Sequence, residues 1–247
     1  MLSEKPWSVE AVIRLFLGII STVCLGLCIV GLVENVKIGW SQDQRLFAQI
    51  VATAIFFQIA ALIWIAFFLR AANTTWRQAF GLTGPGRWRA IPLGVLAAIA
   101  ILPVAILLQE VSGYVMELLR MHPEAQTVVQ ELQKPQVPRF ETAFLGVLAI
   151  FIAPVAEETM FRGILYPTIK QFGYPRLALW GTSVLFGLSH FSMVTLAPLT
   201  AFAVVLVFLY EATDNLLAPI VAHSLFNAMN FFILLFGKSL DRVLPFK

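Results

Sequence analysis

Three short patterns carry the residues able to do chemistry. They are Glu157-Glu158-x-x-x-Arg162, Phe186-x-x-x-His190 and His223-x-x-x-Asn227, each inside its own apolar segment of the C-terminal half. A carboxylate, an imidazole and an amide together supply a base that can activate a water and donors that can hold a developing oxyanion. The same residues are expensive where they stand. Each charge near the centre of a membrane helix costs roughly 2.5–3.5 kcal/mol, so Glu157, Glu158 and Arg162 left unpaired would cost on the order of 9 kcal/mol. Taken singly, a His or Asn in such a segment is interhelical glue. Two of the three histidines, two adjacent glutamates and an asparagine gathered in one half of the chain point instead to an organised site.

Helical geometry divides the roles. Glu158 and Arg162 are four residues apart with the acid first, the favourable order for an ion pair within one helix. Glu157 is turned about 100° away around the helix and is left for a partner elsewhere. His223 and Asn227 share one helix face, as do Phe186 and His190, so three helices can converge on one polar pocket. His122, beside Pro123 in a polar connection, reads as a surface residue.

The elements that must position these groups are membrane spans. Of 247 residues 59% are hydrophobic and 13% charged, about half the charge of a typical soluble chain, and the mean hydropathy is +0.84. About seven apolar stretches are long enough to cross roughly 30 Å of hydrocarbon: 11–33, 46–69, 90–108, 143–166, 177–193, 196–210 and 215–236. The expected fold is therefore an all-α, polytopic bundle of about seven spans, with room for an eighth re-entrant or tilted segment, enclosing a conical or cleft-like polar cavity. Residues 1–142 supply N-terminal spans and connectors and 143–236 the chemical core, within one integrated membrane domain. Pro198 and Pro219 are expected in first turns, where a missing N–H is harmless. Gly18, Gly26 and Gly31 suit close helix packing, and Cys24 and Cys28, one turn apart, read as small packing residues.

The acidic residues Glu4 and Glu10 around Lys5, and the full length of the first apolar stretch, argue against a cleavable signal peptide. Arg70, Arg77, Arg87 and Arg89 crowd the loop after the second span with no acid among them, which predicts a cytoplasmic N-terminus. Residues 75–81 suit a short interfacial helix stopped at Gly84-Pro85-Gly86. The connector 109–141 reads as an amphipathic helix followed by a stiff turn at Pro135 and Pro138, either a plain connection or a lid. A net charge of +3 without a basic run excludes a nucleic-acid stripe, so the expected partners are membrane lipid and a membrane-associated protein or peptide.

The three patterns, in this order, resemble the motifs of the CAAX prenyl protease type II and bacteriocin-processing (CPBP, Abi) family of intramembrane proteases. The stretch 214–223, Asp-Asn-Leu-Leu-Ala-Pro-Ile-Val-Ala-His, resembles the lead-in to the third motif. The likeness covers about 143–236. It implies peptide hydrolysis in which Glu157 and His190 orient and deprotonate water while His223 and Asn227 hold the oxyanion. Glu158, Arg162 and Phe186 are then supporting residues. It favours a metal-independent glutamate mechanism, although Glu157, His190 and His223 could form a three-ligand zinc site with one open position. Two other readings use the same residues. A proton-coupled transporter would use Glu157, His190 and His223 as a relay, and a non-catalytic adaptor or immunity protein would keep only the fold. No residue identifies a prenyl pocket.

Overall fold

The computed structural model describes residues 2–35, 39–83, 87–121, 126–134 and 137–243, and every regular element among them is helical. In chain order these are α1 (Val9–Asn35), α2 (Gln42–Ala71), α3 (Trp76–Ala79), α4 (Arg87–Leu118), α5 (Thr127–Leu132), α6 (Arg139–Gln171), α7 (Pro175–Leu188), α8 (Met193–Thr213) and α9 (Leu217–Val243). Six of them, α1, α2, α4, α6, α8 and α9, are long and apolar enough to cross a membrane. The chain is thus a polytopic helical bundle. The fifth predicted stretch is α7, whose 14 residues reach only about 21 Å.

Local chemistry fixes several boundaries. Ser41 caps α2 and Thr75 caps α3, each accepting from the backbone N–H three residues on while Gln44 and Gln78 return the bond, so both are capping boxes. Three stretches widen into π-helix: Ile55–Ile59 in α2, and Leu148–Ile152 and Thr159–Leu165 in α6. A proline ring inside an α-helix clashes with the carbonyl four residues back. The two wide stretches of α6 each end just before a proline, Pro154 or Pro167, and let the helix continue through it.

Helices α4, α8 and α9 form the centre, with α6 and α7 laid against them. Their shared core includes Ala98, Ile101, Phe161, Phe186, Phe202, Leu206, Ala222 and Phe226. Gly94 lets the α4 backbone reach α9, since a Cβ there would stand 2.6 Å from the Ala218 carbonyl oxygen.

One end of the bundle is tied by polar contacts. Lys5 Nζ donates to the Ala79 carbonyl at 2.8 Å, Trp7 Nε1 to Thr168 Oγ1 at 3.1 Å, and Ser3 N and Oγ to Asp214 Oδ1 at 3.1 and 3.0 Å. Burial holds the Lys5 ammonium below the usual lysine range, against the pull of Asp214. Asp214 is left-handed at φ 45°. Gly81 faces it at φ 67°, where a Cβ would fall 1.9 Å from the Asp214 carbonyl oxygen, so both conformation and space require glycine. Asn215 Nδ2 then donates to the Gly81 carbonyl at 2.7 Å while its Oδ1 accepts from Leu217 N at 2.9 Å, and Leu216 N donates to the Phe80 carbonyl at 2.9 Å. These contacts set where α9 begins.

Several expectations change. The third span continues to Leu118, taking Glu110 and Glu117 into α4, because no proline interrupts residues 109–118 and the helix carries Gly113. The connector's amphipathic helix shrinks to α5. Pro198 lies in the second turn of α8, which starts at Met193. Cys24 and Cys28 are exposed on α1, so they are not packing residues. Gly18 and Gly26 do pack, against Trp64 and Phe56, whereas a Cβ on Gly31 would meet nothing within 4 Å. The interfacial helix appears as α3, while Gly84-Pro85-Gly86, His122 and Pro135 lie outside the described residues.

Candidate active site

Depth along the helices brings the polar residues level. Gly163 of α6 packs under Phe80 and Leu216, with an added Cβ 2.7 Å from Phe80 and 3.4 Å from Leu216. From that contact Glu157 lies six residues back along α6 and His223 seven residues beyond Leu216, about 9 and 10 Å deeper. The short α7 explains His190. Its 14 residues end at about the depth of Glu157, itself 14 residues before the end of α6, and His190 follows in the turn between α7 and α8.

Glu158 is the hub. Its Oε1 accepts from Arg162 Nη1 at 2.8 Å and faces His223 Nδ1, also at 2.8 Å, and Glu158 and Arg162 are 0% and 1% exposed. Arg162 Nη2 donates to the Ala203 carbonyl of α8 at 3.3 Å, and its guanidinium lies 4.4 Å over the Phe186 ring. The predicted Glu158–Arg162 pair is present and is extended by a third partner, His223, on another helix.

Glu157, turned away from that pair, approaches the other side of the same imidazole. Its Oε2 stands 3.8 Å from His223 Nε2, too far for a direct hydrogen bond. That Oε2 is buried and has no hydrogen-bond partner among the described residues. The carboxylates therefore bracket His223, one bonded and one poised.

Both histidines have a defined tautomer. His190 Nδ1 lies 2.8 Å from the Phe186 carbonyl oxygen, which only accepts, so Nδ1 carries the hydrogen and Nε2 of the neutral ring keeps its lone pair. His223 Nδ1, against the Glu158 carboxylate, must likewise donate, leaving Nε2 toward Glu157. Phe186, fully buried, packs edge-on to Phe161 and His223 and tilted on His190, while Phe202 supports the far side of His223. It joins the two histidines physically.

Asn227 is placed by the first wide stretch of α6. There Ala153 N bonds to Leu148 O instead of Ala149 O, which frees the Ala149 carbonyl, and Asn227 Nδ2 donates to it at 2.8 Å. One amide N–H is engaged and the second is available. Glu157, Glu158, Arg162 and His223 thus form one cluster, bridged to His190 through Phe186, with Asn227 one turn along α9 from His223.

Among the described residues no three His, Cys, Asp or Glu groups stand together in a way that could hold a metal ion, Glu157, His190 and His223 included.

Residues the patterns did not single out also hold the site. Ala203 and Ala149 act only through their carbonyls and Phe202 only through its ring, none of which has a sequence signature. Asn215 had one, its place in the Asp214–His223 stretch.

Residues 139–229 match a family model described as type II CAAX prenyl endopeptidase, Rce1-like. The chain is also similar to "Putative membrane peptidase YdiL" of Bacillus subtilis (strain 168), 28% identical over 146 residues, which is 58% of this chain and 57% of that protein. It therefore spans little more than half the length of that relative. No solved structure matches it.

Proposed function

Because residues 139–229 match the type II CAAX prenyl endopeptidase family, we propose that the chain belongs to that family and is an intramembrane endopeptidase acting on membrane-associated proteins or peptides. The observation that carries this reading is the bracketed imidazole: His223 bonded to Glu158 on one side and 3.8 Å from an unpartnered Glu157 oxygen on the other. A purely structural ion pair has no use for the second carboxylate.

In this reading a water is held between Glu157 and the Nε2 lone pair of His190. Its oxygen attacks the scissile carbonyl carbon as its proton passes to Glu157, and the carbonyl π pair moves onto oxygen. His223 can donate to that oxyanion from Nε2 only as an imidazolium, since Nδ1 is committed to Glu158. With His223 protonated and both glutamates ionised, the cluster with Arg162 sums to zero charge. Asn227 donates its second amide hydrogen. The intermediate then collapses, the C–N bond breaks, and Glu157 returns its proton to the departing amine. Glu158 and Arg162 keep His223 in one orientation, with Nδ1 donating to Glu158 throughout.

The mechanism is proposed as metal-independent and the substrate as a peptide near the membrane, prenylated or not. Quantitative comparison of C-termini and released peptides from cells carrying wild type or Glu157→Gln protein tests the function. A set of proteins that accumulates uncut with Glu157→Gln is expected, and identical profiles would remove the protease reading. Purified protein should retain cleavage after exhaustive chelation. Loss that added zinc restores would replace the metal-free version.

A further inference from the structure

The end of the bundle tied by Lys5, Trp7, Asp214 and Asn215 carries a charge the chain does not balance. Arg70 closes α2, Arg77 lies on α3, Arg89 opens α4 and Arg176 opens α7, and all four are exposed. None makes a side-chain hydrogen bond or ion pair among the described residues, in contrast to other cations at this end: Lys170 pairs with Glu211, Arg14 with Glu10, and Lys5 bonds Ala79. The acids here are mostly spent. Glu211 also accepts from Tyr166, Asp214 holds Ser3, and no Asp or Glu occurs anywhere from Gln44 to Gln109. Among the described residues at this end, only Glu4 stands exposed without such a partner.

The opposite end differs. There Lys134 is taken by Asp43 and Glu131 at 2.7 Å each, and Arg120 and Arg139, which make no such pair themselves among the described residues, have the acids Glu117 and Glu141 within three residues along the chain.

The arginines sit among exposed aromatics: Trp88 at 75%, Phe172 at 64% and Tyr174 at 60%. Aromatic rings of this kind collect where hydrocarbon meets headgroups, which places the four guanidiniums at phosphate depth rather than out in solution. We infer that the face bearing Arg70, Arg77, Arg89 and Arg176 is a binding surface for anionic phospholipid headgroups, which supply the counter-charge the fold omits. Guanidinium forks match phosphate oxygens pairwise and bind them better than an ammonium would. The surface is spread over four helices, so several lipids bind along it. This inference does not depend on the protease reading.

Purified full-length chain in nanodiscs of mixed phosphatidylglycerol and phosphatidylcholine tests it, with retained lipid counted by native mass spectrometry. Wild type should retain phosphatidylglycerol preferentially, and the preference should fall as salt is raised. Arg70→Gln/Arg77→Gln/Arg89→Gln/Arg176→Gln should reduce retention at least tenfold, at about fivefold per arginine before losses overlap. Should the quadruple variant fail to fold, Arg77→Gln alone should show about the single-arginine loss. Arg120→Gln/Arg139→Gln at the other end should retain wild-type preference. Equal retention of both lipids by wild type, or a loss caused by the opposite-end pair, would overturn the inference. So would tight binding of a soluble poly-glutamate peptide to protein in neutral nanodiscs with no phosphatidylglycerol preference, which would assign the surface to an acidic protein.

Discussion

Helices α1 and α6 are both long and apolar, yet they meet the membrane differently. In the most apolar part of α6, 56% of residues are buried inside the protein, against 17% in α1. Helix α6 carries Glu157, Glu158 and Arg162, whereas the middle of α1 carries nothing more polar than Ser21, Thr22, Cys24 and Cys28. The contrast shows how this bundle tolerates charge. Ionised groups stand on the helix that neighbours shield from lipid: Glu158 and Arg162 answer each other there and meet His223 of α9, while Glu157 stands 3.8 Å from the same imidazole. Helix α1 has fewer neighbours and holds its polar Arg14 at its end, paired with Glu10 at 2.5 Å in the open.

The sharpest way to break the contrast is to orphan a charge on α6. Arg162→Ala leaves Glu158 buried beside His223 without its guanidinium, and removing one partner of a buried pair costs about 3–5 kcal/mol. Thermal unfolding in detergent should show that loss together with loss of cleavage. Arg14→Ala on α1, where both partners are exposed, should change stability by less than about 1 kcal/mol. The double change Glu158→Leu/Arg162→Met should recover most of the stability, since apolar groups of similar size can replace a buried pair. It should not recover cleavage, because His223 loses the carboxylate that orients it and balances its charge. Recovery of both would reduce Glu158 to a counter-ion.

A smaller effect separates fold from chemistry on α9. Asn227→Ala removes the bond to Ala149, worth about 1 kcal/mol. If its second N–H also meets the oxyanion, kcat should fall about 10²–10³-fold with KM little changed. Asn227→Asp can accept but not donate, so it should lose the same kcat. A fall in stability with kcat intact would leave Asn227 as glue alone.

These expectations rest on residues that were legible in the sequence to unequal degrees. The pairing of Glu158 with Arg162 followed from spacing and order, because both ends lie on one helix and α-geometry is nearly fixed. The spans followed from hydropathy, except where polar residues continued a helix, as Glu110 and Glu117 do in α4. The bond from His223 to Glu158 was not legible. It depends on how α6 and α9 are set in depth, and that is fixed by Gly163, Phe80 and Leu216, residues with no chemical signature. The role of Asn227 was hidden for a related reason: its partner is a carbonyl freed by a wide turn in α6, and the only clue in the sequence is Pro154 a few residues later. Cys24 and Cys28 misled because small apolar-tolerant residues fit a lipid-facing surface as well as a packed one.

The same contrast can be tested within α1 itself, where the expected effects are smallest. Gly26 packs so closely on α2 that a Cβ would lie 2.3 Å from Phe56 Cγ, at the π-helical stretch Ile55–Ile59. Gly26→Val should therefore force α1 and α2 apart and cost about 1–3 kcal/mol. Cys24 and Cys28, two residues to either side, are exposed, and Cys24→Ala/Cys28→Ala should stay within about 0.5 kcal/mol of wild type. Among the described residues neither helix contributes a side chain to the cluster around His223, so kcat should hold in both variants while the protein stays folded. If the Gly26 variant lost activity in proportion to its stability, α1 and α2 would be helping to set the depth of α6. The division between a shielded chemical core and a lipid-facing pair would then have to be redrawn around the contact of α2 with α6 near Pro154.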